Sequence, residues 1–463
     1  MRITIPPKNQ GNALVFTLLT VLVIGMALAS YLALASSQNV TTMRSLAWTH
    51  ALTVVEAGVE EALTQIHYNG ITNLAANSWN YISPGLYYKK RSLGNGTYCE
   101  VVIKPVEPPV ILSSGFVPAP MTPSTQLGMI LGGVLPGAAA DQEIPLIKRK
   151  VRVNTKRSPW YTKAMLAKGQ IDLKGFNVGT DSFDSLDPLY NTLGKYDPAK
   201  NKANGDVATN SELVDSLNAG NAKIKGKVST GPEGTVDVGP GGSVGDKGWV
   251  DTGSRGIQPG HVDDDMNVDF PEVVLPEGTP GSVTAGTYSI GGTNYNYVLS
   301  GSAAGPRYLQ TPSLGGKVYV TGNVALLVSA SFSFTGNDCI YLAPGATLTL
   351  YVGAPSATLG GNGVINSGSA LDFQYLGLNT NTKLAFGGNG AFVGAIYAPY
   401  ADFQLNGGGN NITDFIGASV TSTVQMNGHF NFHYDEALGR RGPQRDYVVT
   451  AWNELVPESW DEL

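Results

Sequence analysis

The chain opens with a run of apolar positions that covers residues 13–35 and contains no charged residue. A helix of about 23 apolar residues is long enough to cross a bilayer core of roughly 30 Å. Residues 36–66 contain no proline and a single glycine, and apolar residues recur there at helical spacing. The pattern predicts one continuous helix over residues 12–67, lipid-embedded in its first half and amphipathic in its second.

The rest of the chain has short apolar runs separated by Gly, Asn, Ser and Thr. Residues 68–160 predict a small β layer around a Pro- and Gly-rich loop. In residues 161–440 the runs are brief and turns recur every few residues, which is typical of a right-handed parallel β-helix. A β-sandwich is the alternative. Residues 441–463 are expected to be a tail that packs as a short strand or cap, or remains mobile.

Composition narrows the class of protein. A chain of 463 residues predicts two or three structural units, and 58 glycines with 14% charged residues favour an all-β architecture over a helical enzyme. A net charge of -6 gives no footprint for nucleic acid binding. Cys99 and Cys339 lie far apart, so two isolated buried thiols are favoured over a disulfide, although pairing in an oxidising compartment stays open.

Charge around the apolar run predicts its orientation. Arg2 and Lys8 precede it, and the next charge along the chain is Arg44. Positive charge on the N-terminal side predicts a cytoplasmic N-terminus and an extracytoplasmic C-terminal bulk. The run is longer than the apolar region of a secretory signal and continues directly into amphipathic helix. The plain interpretation is a single-pass anchor in the inner (cytoplasmic) membrane.

The N-terminus also resembles a known family. A basic leader ending in Gly11, followed by an apolar helix that becomes amphipathic, resembles a type IV pilin or pseudopilin. GNALVFTLLTVLVIGMALA (11–29) and VVEAGVEEAL (54–63) are similar to minor pilins of the PilX-like class. The resemblance implies that prepilin peptidase cleaves between Gly11 and Asn12. Phe16 stands where major pilins have a glutamate at the fifth mature position, which suits a rare or tip subunit better than a bulk one.

A second resemblance lies near the other end of the chain. Residues 390–438 (GAFVGAIYAPYADFQLNGGGNNITDFIGASVTSTVQMNGHFNFHYDEAL) resemble a β-helix-type domain found on pilin-like and other bacterial surface proteins, for which no activity is established. This resemblance implies a fold and a location, and it implies no chemistry.

Two clusters are weak candidates for a metal site. Asp263, Asp264 and Asp265 could contribute to an oxygen cage for calcium, but they lack the spacing of a dedicated calcium loop, so a polar turn is the preferred interpretation. His429 and His433 fall on one face if their segment is a strand, but no third ligand is evident. A polar cap on the last β coil is preferred there, and no cofactor is expected.

Catalysis is a minor alternative, because β-helix enzymes that cut polysaccharides group carboxylates on one face and this chain contains scattered acids. The candidates are Asp172, Asp181, Asp184, Asp372, Asp402 and Asp414. The preferred hypothesis is nevertheless a non-enzymatic minor subunit of a type IV pilus or pseudopilus. Its partners would be the lipid bilayer, other pilin-like subunits, prepilin peptidase and a glycan or protein surface ligand. The alternatives are a static single-pass envelope protein and a polysaccharide-acting β-helix.

Overall fold

The computed structural model describes residues 11–83, 85–120, 145–175, 178–302, 305–387, 392–407 and 413–456. The chain forms two compact units. The first unit comprises Met1–Ser158 and Asp446–Leu463, and the second comprises Pro159–Arg445. The second unit is therefore inserted, as one continuous segment, into the chain of the first.

A single long helix, α1 (Gly11–Asn69), begins the first unit. Within the described residues, it is the element long and apolar enough to cross a membrane, and none of its most apolar window is buried. The predicted long apolar helix is thus confirmed. Burial begins in its second half, where Ala51, Val55, Val59 and Ala62 form an apolar stripe at intervals of three or four residues.

An antiparallel sheet covers this stripe. Its first five strands are β1 (Asn80–Ser83), β2 (Leu86–Gly94), β3 (Thr97–Lys104), β4 (Val110–Pro118) and β5 (Leu146–Pro159), each antiparallel to the next. Gly58 and Gly115 allow the helix and β4 to approach closely, because a Cβ on Gly58 would overlap Ser113 Oγ. The Ser113 hydroxyl instead donates a hydrogen bond of 2.9 Å to the carbonyl of Val55.

The second unit is a stack of short parallel strands, a solenoid. The parallel pairing confirms the predicted mainly β, β-helix-like domain and disagrees with the β-sandwich alternative, whose sheets would be antiparallel. We divide it into two runs. The first run is β6 (Met165–Ala167), β7 (Ile171–Asp172), β8 (Gly179–Phe183), β9 (Val207–Thr209), β10 (Leu217–Gly220), β11 (Lys223–Lys225), β12 (Val228–Ser229), β13 (Val236–Val238), β14 (Ser243–Gly245), α2 (Lys247–Asp251), β15 (Gly256–Ile257) and β16 (Val262–Asp263).

The second run is longer and also winds in parallel coils, apart from one antiparallel hairpin, β18–β19. It comprises β17 (Gly281–Ser282), β18 (Tyr288–Ile290), β19 (Thr293–Tyr295), β20 (Tyr297–Ser300), β21 (Arg307–Leu314), β22 (Lys317–Thr321), β23 (Asn323–Phe334), β24 (Cys339–Leu342), β25 (Thr347–Val352), β26 (Ser356–Leu359), β27 (Val364–Asn366), β28 (Phe373–Gly377), β29 (Lys383–Phe386), β30 (Phe392–Leu405), β31 (Thr413–Met426) and β32 (Phe430–Asp435). Short 3-10 helices lie at Ala75–Asn77, Pro188–Tyr190, Pro198–Lys200 and Ala370–Asp372.

The two runs meet in the middle of the stack. β31 pairs in parallel with β6 and β7, and β32 pairs with β8. The last coil of the second run therefore lies on the first coil of the first run, and we call this junction the seam. Because β6 and β8 also pair with β9 and β11, the first run extends from the seam in the opposite direction to the second.

An extended segment, residues 264–280, connects the end of the first run to the start of the second. It lies along the stack rather than within a coil. The Met266 amide donates a 2.9 Å hydrogen bond to the carbonyl of Thr230, in the first run. The Tyr397 hydroxyl, in the second run, donates a 2.7 Å bond to the carbonyl of Pro271. The segment therefore contacts both sides of the seam, which it crosses on its way between the two ends.

Side chains of successive coils stack inside the solenoid. The rings of Phe392 and Phe415 lie 4.4 Å apart, and those of Phe415 and Phe432 lie 4.1 Å apart, with near-parallel planes. These distances match the roughly 4.8 Å separation of hydrogen-bonded strands. The parallel register places Phe392, Phe415 and Phe432 opposite one another in successive coils, so each of these rings packs on the next.

The chain leaves the solenoid beside its point of entry. The amide of Trp160 donates a 2.9 Å hydrogen bond to the carbonyl of Pro443. After a short helix, α3 (Leu438–Arg441), strand β33 (Gln444–Leu455) pairs with β5 in the sheet of the first unit. Of the possibilities that the sequence left open for residues 441–463, the described part forms a strand, and residues 457–463, with Trp460, lie outside the described residues.

Candidate functional site

The seam gathers polar side chains that are distant in the sequence. The parallel register of β32 and β8 places His433 opposite Asp181. Phe432, beside His433, is fully buried in the core, so His433 projects from the outer face of its strand. Residues 184–206, which connect β8 to β9, lie over this face. We call the set His433, Asp181, Asp414, Tyr196 and Asn201 the seam cluster.

Both nitrogens of the His433 imidazole face a carboxylate. Nδ1 lies 2.6 Å from Asp181 Oδ1, and Nε2 lies 3.5 Å from Asp414 Oδ1. The Tyr196 ring stacks on the imidazole at a centroid distance of 3.6 Å, and its hydroxyl donates a 2.7 Å hydrogen bond to Asp181 Oδ2. Asn201 Nδ2 donates a further bond of 2.6 Å to that oxygen. The histidine residue is only 5% exposed.

This arrangement favours the charged imidazolium. Burial by itself lowers the pKa of His433, but the hydrogen bonds and charges of Asp181 and Asp414 outweigh burial and raise the pKa above its ordinary value. The hydrogen bond from His433 holds the pKa of Asp414 below its usual range. Burial, together with the Asp181 charge, raises the pKa of Tyr196, so its hydroxyl stays a donor at neutral pH.

Further ion pairs cross the seam next to this cluster. Arg440 Nη2 lies 2.6 Å from each carboxylate oxygen of Asp184, whose side chain is only 8% exposed. Glu436 forms an ion pair with Lys202 and accepts a 2.9 Å hydrogen bond from Ser182 Oγ. Each contact joins the end of the second run to the beginning of the first, so the seam is held by charge as well as by strand pairing.

Asp435 is the most deeply buried acid at the seam. Its Oδ1 accepts 3.1 Å hydrogen bonds from the amides of Ser185 and Ala437, and the residue has no exposed surface. Burial raises the pKa of its carboxyl group. The two amides come from opposite sides of the seam, so Asp435 ties the backbone of residues 184–206 to the chain that follows β32.

The geometry favours a structural role for His433 over acid–base catalysis. A general acid or base must come within hydrogen-bond distance of an incoming substrate. Both nitrogens of His433 are occupied by Asp181 and Asp414, and the Tyr196 ring covers one face. The seam cluster is therefore arranged as an Asp–His–Asp clasp.

The weak metal candidates do not converge. Among the described residues, no group of three or more His, Cys, Asp or Glu side chains is placed to hold a metal ion. Asp263 lies 3.5 Å from the Lys227 ammonium, and Asp264 and Asp265 are exposed. His433 is engaged by carboxylates on opposite edges of its ring, and His429 is half-buried on the segment before β32.

The six acids considered for catalysis divide into two groups. Asp181, Asp184 and Asp414 meet at the seam, each in an ion pair. The other three lie apart from this cluster: Asp172 pairs with Lys174, Asp372 closes a capping box with Ser369, and Asp402 accepts a hydrogen bond from Thr423.

The predicted processing site lies at the edge of the described chain. Residues 1–10 are outside the described residues, and α1 begins at Gly11. Asn12 is helical, and its side chain is not described. Cleavage between Gly11 and Asn12 stays a prediction.

The comparisons with known proteins match part of the second unit. A family model described as "Domain of unknown function (DUF7305)" matches residues 301–441. No curated protein and no solved structure matches the chain. The matched residues include His433, Asp414 and Arg440, whereas their partners Asp181 and Asp184 lie outside the match.

Sequence reasoning named His433 as a weak metal candidate and named Asp181 and Asp414 among the scattered acids, and it missed Tyr196 and Asn201 entirely. Parallel pairing of β32 with β8 brings together His433 and Asp181, which are 252 positions apart in the chain, and no local sequence pattern predicts such a contact. The available signal was the density of charged residues at 429–440, next to buried aromatic residues.

Proposed function

We propose that this chain is a membrane-anchored, pilin-like minor subunit that displays its solenoid outside the cytoplasm for assembly, adhesion or surface contact. One observation carries the proposal. Helix α1 has an unburied apolar half, and the same helix continues without a break into a half that packs on an antiparallel sheet. A plain membrane anchor has no need of such rigid continuity, whereas a subunit that packs its helix among others does.

The charge pattern supports the orientation of the anchor. Arg2 and Lys8 lie on one side of the apolar run, and the charged sheet of the first unit lies on the other. We therefore place the N-terminus in the cytoplasm and the solenoid beyond the inner membrane, at a fibre tip if the subunit is assembled. Phe16 carries no charge to neutralise a neighbouring N-terminus, which suits a rare or terminal position.

The insertion of the solenoid supports display rather than burial in an assembly. Its entry and exit are joined by the hydrogen bond between Trp160 and Pro443. Strands β5 and β33, which flank the insertion, are neighbours in the sheet of the first unit. A large domain can be carried at such a point because the strands on either side still complete the sheet.

Polysaccharide cleavage is less well supported. A glycosidase needs two acids that face one substrate. Within the described part of the chain, the seam acids Asp181, Asp184 and Asp414 are instead held by His433 or Arg440.

The deciding experiment is the intact mass and N-terminal sequence of the protein purified from its native membrane. We expect the wild-type protein to start at Asn12, with or without N-methylation. We expect a Gly11→Val variant to keep its leader and start at Met1. A Gly25→Ala variant is the matched control, because Gly25 lies in the same helix away from the cleavage point. A wild-type start at Met1 would leave a static single-pass envelope protein and end the fibre hypothesis.

A further inference from the structure

A cavity of about 430 Å³ lies on the outer face of the solenoid beside the seam cluster. Its floor is formed by β32, β8 and β11, and its walls are residues 196–201 on one side and 250–253 on the other. Besides His433 and Tyr196, the polar side chains that line it include Asp181, Asn201, Lys223, Lys225, Asp251 and Asn431. Its volume lies within the roughly 300–1,000 Å³ typical of small-molecule sites.

A glycine opens the floor. The strand register places Gly179 between Asn431 of β32 and Lys223 of β11. A Cβ on Gly179 would lie 3.0 Å from Asn431 Oδ1, so the space above this glycine is bounded directly by an amide oxygen. The missing side chain leaves a gap in the outer row of the sheet, between a hydrogen-bond acceptor and an ammonium group.

The charges around the cavity leave one cation unmatched. Asp181 is paired with His433, and the Lys225 ammonium lies 2.8 Å from Asp251. The Lys223 ammonium has no carboxylate within 4.0 Å among the described residues, and the side chain is exposed. Asp414, the second carboxylate beside His433, does not line the cavity, so Lys223 is the lining cation without a carboxylate partner among the described residues.

The cavity also holds an unsatisfied acceptor. Asn201 Nδ2 donates one hydrogen bond to Asp181 Oδ2, and Asn201 Oδ1 is buried with no hydrogen-bond partner among the described residues. A buried acceptor without a donor carries a free-energy cost of desolvation that a ligand hydroxyl would relieve. Asn201 Oδ1, Asn431 Oδ1 and Lys223 Nζ together match a molecule that carries both hydroxyl groups and a carboxylate.

We propose that this cavity binds a carboxylated sugar, as in a hexuronate unit of a surface glycan. Lys223 contacts the carboxylate, and Asn431 and Asn201 accept hydrogen bonds from ring hydroxyls. The inference supplies a ligand class for the adhesion that the proposed function includes, and so it rests on that function for its biological role. The binding itself does not depend on cleavage at Gly11 or on a fibre.

The test is saturation-transfer NMR on the full-length protein in detergent micelles, with D-glucuronate, D-glucose and acetate as probes. Glucose matches glucuronate except for the carboxylate, and acetate supplies a carboxylate without hydroxyls. We expect saturable binding of glucuronate that is at least about tenfold tighter than binding of either control, because a charge-assisted contact and the hydroxyl contacts are both required.

Variants assign the binding to this cavity. Lys223→Gln should weaken glucuronate binding about tenfold, and Lys383→Gln, an exposed lysine on β29 outside this cavity, should leave it unchanged. Equal binding of glucose or acetate, no saturable binding, or an unaffected Lys223→Gln variant would overturn the proposal. A mature start at Met1 with glucuronate binding intact would overturn the fibre hypothesis alone, so the two failures are distinguishable.

Discussion

His433 and Asp181 are 252 positions apart in the chain, and their side chains meet at 2.6 Å in the middle of the solenoid. This contact closes the seam between the last coil of the domain and the first. Because the chain enters and leaves the solenoid at the seam, its two runs are held together by strand pairing, by residues 264–280 and by a small set of partly buried ion pairs. Stability at the seam should therefore respond to the charge of a few groups.

The first prediction concerns pH. The folded pKa of His433 is raised, so its contribution to stability is fully present below its unfolded pKa of about 6.5 and is lost as pH rises through the folded pKa. The groups that face the imidazole are Asp181, Asp414 and Tyr196. None of these three groups can become positively charged, so none replaces the charge that the imidazole loses at alkaline pH.

Thermal unfolding of wild type and of His433→Gln measures this effect. The variant should lose on the order of 1 kcal/mol relative to wild type at about pH 5.5, and the difference should shrink by about pH 8.5. The folded pKa of Asp414 is lowered, so its contribution to the stability of the clasp should be lost only as pH falls through that folded pKa. A difference that is constant with pH would mean that the imidazole is not charged at the seam.

The second prediction concerns Arg440. Its removal leaves the buried Asp184 carboxylate without its cation, and breaking such a pair is costly. Because the Arg440 side chain is itself half exposed, we expect Arg440→Met to lower the free energy of unfolding by only about 1–2 kcal/mol. Arg441→Met is the matched control, since Arg441 is exposed and forms no ion pair with the described residues. Equal urea midpoints for the two variants would contradict a stabilising role.

The third prediction concerns the contact between helix and sheet. Gly58→Ala would place a methyl group against Ser113 Oγ and 2.9 Å from Val101 Cγ2. We expect this overpacking to destabilise the first unit by about 1–3 kcal/mol. Gly25→Ala meets nothing within 4 Å and should be neutral or improve helix stability by up to about 1 kcal/mol. Near-ultraviolet circular dichroism melts in detergent compare the two, and an unaltered Gly58→Ala melt would disprove the tight packing.

The fourth prediction concerns the cysteines, whose pairing the sequence left open. Cys99 and Cys339 are both free and buried, they belong to different units, and burial raises the pKa of each thiol. We expect iodoacetamide to label neither residue in the native protein and both after denaturation without a reductant, because reaction requires an accessible thiolate. Intact mass reads the result. Denatured, unreduced protein that takes no label would instead indicate a disulfide.

The sequence by itself determined the local structure of this protein. An uncharged run at residues 13–35 and the apolar stripe that follows it specify α1, because hydrophobic periodicity is a local property. Brief apolar runs between Gly, Asn and Ser likewise specify short strands that suit parallel coils. His433 was recognised as a weak metal candidate and Asp181 and Asp414 as two of six scattered acids, but the sequence did not bring the histidine and these acids together.

Only the tertiary structure decided the order of the coils and the composition of the site. A strand that alternates inward and outward side chains fits any neighbour of the same pattern, so nothing within β6 or β31 indicates that they pair. The start of the domain consequently lies at the middle of the stack, where Tyr196 covers His433 and Asp181. For the same reason, β33 joins the sheet of the first unit across the whole inserted solenoid, a pairing fixed by packing and not by the sequence of either strand.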